Sequence, residues 1–205
     1  LTKLATEVSA RQADLLPLIM AETGATLTVG SSLQVPQAVA RFHRYAKGAL
    51  QDINQSLAPS IMPTTPLAAG GVIGGQVFRQ PVGVVACISP YNFPLVSMAG
   101  KVGPALATGN TIVMKPAPQD PLAIHEFAQI CEDVGFPPGV VNLVTGSAPD
   151  VGQALVESTD VDMISFTGST RAGKRVAELA SQSVKRVTLE LGGKSPNVIL
   201  DDADF

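Results

Sequence analysis

Beyond Pro81 the chain alternates short apolar runs with amphipathic ones, and this rhythm restricts the fold more than any other feature. Residues 82–88, 111–115, 140–144, 163–166 and 186–191 read as strands. Residues 97–107, 122–134, 151–156 and 171–181 read as the helices between them. Phe127, Ile130, Cys131 and Val134 form a continuous i, i+3, i+4, i+7 stripe on the second of these helices. Alternation of this kind predicts an α/β fold, a parallel sheet with helices on both faces. In such a sheet ligands bind beyond the carboxyl ends of the strands, where this sequence gathers its glycines and polar residues.

The first third is helical in pattern. Leu15, Leu18 and Ile19 share one face. Val35, Val39, Phe42, Ala46, Leu50 and Ile53 continue a second stripe, with Gly24 and Gly30 between the two. Residues 57–75 carry Pro59, Pro63 and Pro66 with two glycine pairs, a turn-rich connection whose apolar pieces Val72-Ile73 and Gln76-Val77-Phe78 predict a projecting hairpin. The expected organisation is therefore helices over 1–58, a hairpin segment over 59–81 and the alternating body over 82–205. Leu1 opens in mid-pattern without a methionine or a leader pattern, and the chain reads as a fragment at both ends.

A net charge of −3 without a basic cluster gives no footprint for nucleic acid. The longest apolar run, near residues 82–88, falls well short of the roughly 18 residues a membrane span needs. Cys87 and Cys131, far apart and without metal-ligand spacing, fit a reducing, cytoplasmic compartment and read as inert core thiols. His43 and His125 lie on separate helices with no second ligand in register, and no metal is expected.

Four constellations carry the chemistry. Leu189-Glu190-Leu191-Gly192-Gly193-Lys194 sets a carboxylate between leucines on a strand, a costly place unless the acid is paired or used as a base in a cleft. A salt bridge to Lys194 or Arg186 is the structural alternative. Phe166-Thr167-Gly168-Ser169-Thr170-Arg171-Ala172-Gly173 joins a strand to a helix, where free amides and hydroxyls suit a phosphate or serve as a plain N-cap. The loop from Gly146 to Gly152 is a weaker candidate of the same kind. Pro90-Tyr91-Asn92-Phe93-Pro94 fixes a loop in which the Asn92 amide either donates to a developing oxyanion or bonds its own backbone. Val113-Met114-Lys115-Pro116 puts a lysine at a strand end facing the ligand crevice, whereas Lys101 and Lys174 read as solvated helix charges.

Together and in this order, PYNFP, TGNTIVMKPA, FTGSTRAG and LELGGKSP resemble the motifs of the aldehyde dehydrogenase superfamily, a likeness covering at least Val77 to Phe205. The resemblance implies a Rossmann-like coenzyme domain that binds NAD or NADP in a variant manner, without a G-x-G-x-x-G turn. It implies that Asn92 holds the substrate oxygen and that Glu190 is the general base for hydrolysis of a cysteine thioester. Lys115 would bind the adenosine ribose, and Ser169 with Gly168 and Gly173 the pyrophosphate. Ser89, Pro90, Pro118 and Gly146 would line the coenzyme, with Leu191 and Gly192 near the nicotinamide. The segment 67–81 would belong to an oligomerisation hairpin, implying a homodimer or homotetramer, and the substrate would be a small-molecule aldehyde oxidised to a carboxylic acid.

Three departures follow from the same comparison. Tyr91 stands where tryptophan is usual. Pro118 stands where NAD-preferring members often carry a ribose-binding glutamate, which opens the site to NADP. The family's nucleophilic cysteine lies beyond Phe205, so the chain as given is expected not to oxidise aldehydes, the catalytic domain being absent. A CoA-acylating relative and a non-catalytic nucleotide-binding or assembly module are the alternatives.

Overall fold

A computed structural model describes residues 1–204 of the chain. Four helical segments open it: α1 (Thr2–Ala10), α2 (Gln12–Thr23), the short α3 (Leu27–Val29) and, after a π-helical turn at Gly30–Gln34, α4 (Val35–Gly48). Gly24 ends α2 in the left-handed conformation at φ 70°, but Gly30 stays helical and runs on into α4. The apolar stripe of α4 buries Val35, Ala38 and Phe42 and stops with the helix at Gly48; Leu50 and Ile53, expected to continue it, are exposed.

The hairpin pairs β1 (Gln55–Met62) with β2 (Gly71–Val77) in antiparallel register, and every residue of both strands is exposed. This corrects the sequence expectation, because both of the expected hairpin pieces fall in or beside β2. The outgoing strand is the proline-bearing stretch instead, beginning inside the segment expected to be helical. Pro59 is tolerated because the ladder shifts register between Leu57 and Ser60, where no amide is needed from it.

The body is the expected α/β fold. Strands β3 (Val84–Ile88), β4 (Thr111–Lys115), β5 (Val141–Leu143), β6 (Met163–Gly168) and β7 (Arg186–Leu191) form one parallel sheet in the order β5-β4-β3-β6-β7. Helices α5 (Pro94–Ala107), α6 (Leu122–Asp133), α7 (Pro149–Glu157) and α8 (Thr170–Ser181) connect them. The period of two along β3 sends Val85 and Cys87 into a core shared with α1, α2, α4, α5 and α6. It sends Ala86 and Ile88 into a second core against α7 and α8. Phe42 and Phe127 stack with centroids 5.6 Å apart and lock α4 onto α6. Arg11, at the junction of α1 and α2, fastens that corner to α6 by pairing with Glu7, Glu126 and Asp133. No helix among the described residues is long and apolar enough to cross a membrane.

Candidate functional site

The chain winds from β3 outward to β5, then returns to place β6 on the other side of β3. Loops leaving β3 and β6 therefore diverge to opposite faces, and the crevice between them is where a sheet of this kind binds ligands. A cleft of about 670 Å³ lies there, at the carboxyl ends of β3, β4, β6 and β7. Parallel register sets Lys115 level with Ile88, Ile88 level with Phe166, and Glu190 level with Thr167.

Ser89, Pro90, Asn92, Lys115 and Pro118 line this cleft together with Gly168, Ser169, Glu190, Leu191 and Gly192. Two expected residues do not. Gly173 is buried in the first turn of α8, and a Cβ there would meet a Leu191 methyl at 2.4 Å, so it permits close packing of α8 on β7. Gly146 sits against Val151, where a Cβ would approach to 2.5 Å, behind the loop leading into α7.

The polar groups on the cleft floor are underused. Ser89 Oγ is buried with no hydrogen-bond partner among the described residues, which marks a place for a ligand's polar group. Lys115 Nζ donates only to the carbonyl of Pro116 at 3.1 Å, and burial lowers its pKa. Ser169 caps α8, its Oγ accepting from the Ala172 amide at 3.2 Å, which leaves the amides of Thr170 and Arg171 unpaired in the helix's first turn. A Cβ on Gly168 would strike the Phe166 ring at 2.6 Å, so glycine is required in this turn. An orphaned hydroxyl, a strand-end ammonium and free amides at a helix N-terminus suit an anionic dinucleotide.

Asn92 is exposed, and among the described residues its side-chain amide bonds nothing; the self-bonded turn asparagine is not what forms. Its loop is held from behind by Gln34. This fully buried amide donates to the Asn92 carbonyl at 3.5 Å and accepts from the Val96 amide at 3.4 Å. The pattern around the π-helical turn gave no sign of this role beyond a glutamine on the apolar side of a helix.

Glu190 is exposed on the edge strand β7 and makes no ion pair among the described residues. The desolvated carboxylate expected from its leucine neighbours is thus corrected, because β7 is an edge strand and no strand among the described residues pairs with its outer side. Lys101 is the second correction. Far from solvated, it is 7% exposed, and its Nζ donates to Thr167 Oγ1 at 2.7 Å and Ser165 Oγ at 3.4 Å. Thr167 is the register partner of Glu190, so this ammonium sits beneath the carboxylate.

Burial lowers the Lys101 pKa from 10.5 to about 8, with nearby Cys87 and the charge of Glu190 opposing the shift. The unfolded chain then holds this proton more tightly than the folded one. Folding stability accordingly rises as the pH climbs from about 8 to 10.5. Lys101→Met is expected to remove that rise; urea melts on either side of the window check it, and an identical rise in the variant would contradict the assignment. Cys87 and Cys131 are buried, and burial pushes both thiols up to about 12, so they are the inert thiols expected. His43, His125 and Lys174 are exposed. No group of three or more His, Cys, Asp or Glu that would hold a metal ion occurs among the described residues.

The cleft opens into a second, apolar slot of about 330 Å³ between α7 and α8, sharing Ile88, Lys115, Pro118 and Phe166 with it. A groove of about 520 Å³ between α6 and β5 holds none of the expected site residues.

Comparison with known proteins places this geometry in context. The model of the aldehyde dehydrogenase family matches residues 1–205. Human aldehyde dehydrogenase 1A1 is 53% identical over 128 residues, 62% of this chain and 26% of its own length. The crystal structure of an Aldehyde Dehydrogenase C mutant from Pseudomonas syringae, in complex with NAD+ and octanal, is 41% identical and superposes with a TM-score of 0.82. That match covers 98% of this chain and 39% of the other. A betaine aldehyde dehydrogenase double mutant from Staphylococcus aureus, in complex with NAD+, is 35% identical with a TM-score of 0.88, over 99% and 38% of the two chains. The chain therefore spans two fifths or less of the length of these relatives.

Proposed function

The chain belongs to the aldehyde dehydrogenase family, and from that premise we propose that it forms the coenzyme-binding part of an NAD(P)-dependent enzyme that oxidises an aldehyde to a carboxylic acid. The observation that carries this reading is the gathering of Ser89, Asn92, Lys115, Ser169 and Glu190 into one cleft at the switch point of the sheet.

Lys115 Nζ, between the cleft and the α7–α8 slot, would hold the adenosine ribose. The amides at the start of α8 beside Ser169, where the helix dipole favours negative charge, would hold the pyrophosphate. Ser89 Oγ would supply a further hydrogen bond, and Leu191 and Gly192 would flank the reacting end. The bound coenzyme supplies the hydride acceptor. Asn92 donates its side-chain amide to the aldehyde oxygen as negative charge develops there. Glu190 takes a proton from the water that releases the acid from a thioester, the sulfur coming from a cysteine outside these residues. The Lys101 ammonium holds charge beneath Glu190. The fully exposed hairpin, with Leu57, Ile61 and Val72 open to solvent, serves assembly into a homodimer or homotetramer.

Calorimetric titration tests the reading. The chain is expected to bind a nicotinamide dinucleotide saturably, and Lys115→Ala to weaken binding about tenfold through loss of a charge-assisted hydrogen bond. Equal affinity in the variant would remove Lys115 from the site.

A further inference from the structure

Asn92 stands on an exposed loop, and among the described residues its side-chain amide has no partner to fix its aim. The helix that follows supplies none. Phe93, in the cap position of α5, makes no capping bond from its side chain, and Pro94 in the first turn has no N–H. Gln34 fills this gap from 58 residues earlier in the chain. Its Oε1 accepts from the Val96 amide at 3.4 Å, which caps α5, and its Nε2 donates to the Asn92 carbonyl at 3.5 Å. One planar amide therefore couples the Asn92 backbone to the first turn of α5.

The setting of Gln34 singles it out for this task. It is fully buried, where an amide is costly unless both of its ends are used. It closes the π-helical turn Gly30–Gln34, a rare geometry that is frequent where a helix is reshaped at a functional site. Gly30 admits that turn, because a Cβ there would strike the Leu16 side chain. Further along, on α4, Arg41 adds a second tie between the same two helices. Its Nη1 donates to the Val96 carbonyl at 2.6 Å, and Gly100 leaves room for the guanidinium. Val96 is thereby held at both its amide and its carbonyl. We infer that Gln34 is a positioning residue for hydride transfer, holding the Asn92 backbone so that the side-chain amide meets the aldehyde oxygen. The inference rests on the oxyanion reading of Asn92 and adds to it the residue that sets its aim. A donor held in this way needs no reorganisation as charge develops, and a small misplacement weakens it steeply.

The test is single-turnover kinetics in a chain carrying the nucleophilic cysteine, on Gln34→Met, Gln34→Asn, Asn92→Ala and each Gln34 variant combined with Asn92→Ala. Gln34→Met keeps the length of the side chain and removes both polar ends. It is expected to slow the first turnover of reduced coenzyme about 10–100-fold, with coenzyme affinity within about twofold. Gln34→Asn keeps a buried amide that is one methylene too short to span Asn92 and Val96, so it should slow the same step by a smaller factor. That variant carries the test should Gln34→Met fail to fold. Because Gln34 acts through Asn92, the combined variants are expected to be no slower than Asn92→Ala alone. Factors that multiply, a parental first turnover in either folded Gln34 variant, or an equal loss of coenzyme affinity would overturn the inference and leave Asn92 in its role. A parental first turnover in Asn92→Ala would instead remove the oxyanion reading, and the inference with it.

Discussion

Glu190→Gln, in a chain carrying the nucleophilic cysteine, is expected to lower steady-state turnover about 10²–10⁴-fold while coenzyme affinity stays within about twofold. Glutamine keeps the shape of the side chain and its place on β7, level with Thr167 and above Lys101, but it cannot accept a proton from water. The proposal separates the two halves of the reaction. Asn92 and the coenzyme serve the first, in which hydride leaves the aldehyde carbon, and Glu190 serves the second, in which water attacks. A first turnover of reduced coenzyme should therefore appear at near-normal rate in the variant, followed by a stall. Normal steady-state turnover would remove Glu190 as the base. A variant with no first turnover would move its role to the hydride step.

The second large effect concerns the opposite end of the sheet. Gly83 precedes β3 at φ 125°, a conformation that side-chain-bearing residues rarely adopt, and a Cβ there would fall 2.0 Å from Asp162 Oδ2. That carboxylate accepts from the Val84 amide at 2.8 Å, while Asn110 Oδ1 accepts from the amides of Val82 and Gly83 at 2.6 and 2.9 Å. Three segments that start β3, β4 and β6 are thus tied around one glycine. Gly83→Ala adds backbone strain and displaces a hydrogen-bonded acid, together about 3 kcal/mol or more. The melting temperature should fall by about 6–12 °C in a chain of this size. Gly74→Ala, in open space on β2, is the control and should stay within about 0.5 kcal/mol of the parent. A Gly83→Ala protein as stable as that control would mean this junction is slack.

How much of this was legible in the sequence differs element by element. The five strands and four helices of the body announce themselves because apolar runs ended by glycine or proline leave few other folds, and their bounds fall within a few residues of the expected ones. The cleft was legible for the same reason, since strand ends converge and the singled-out loops sit on them. Lys101 was not, because its partners Ser165 and Thr167 come from a strand more than sixty residues away. Hydroxyls at alternate positions of an otherwise apolar strand were the only signal that something polar faced β6 from that side. The α4 stripe was overrun to Ile53 because periodicity is indifferent to where a helix stops. Strand β1 was missed because Pro59 reads as a breaker unless a shift in register excuses it. The solvent exposure of Glu190 depends on what covers an edge strand, a property that local sequence does not carry.

The central claim is that one cleft, at the carboxyl ends of β3, β4, β6 and β7, receives the dinucleotide. Amide chemical-shift mapping of the chain during titration with NADP and NAD tests it most directly. Saturable shifts at Ser89, Lys115, Gly168, Ser169 and Leu191, spreading to Gly152 and Arg175 in the α7–α8 slot, are the expected result. Shifts confined to the α6–β5 groove around His125 and Phe136, or no saturable shifts in a well-dispersed spectrum, would contradict it.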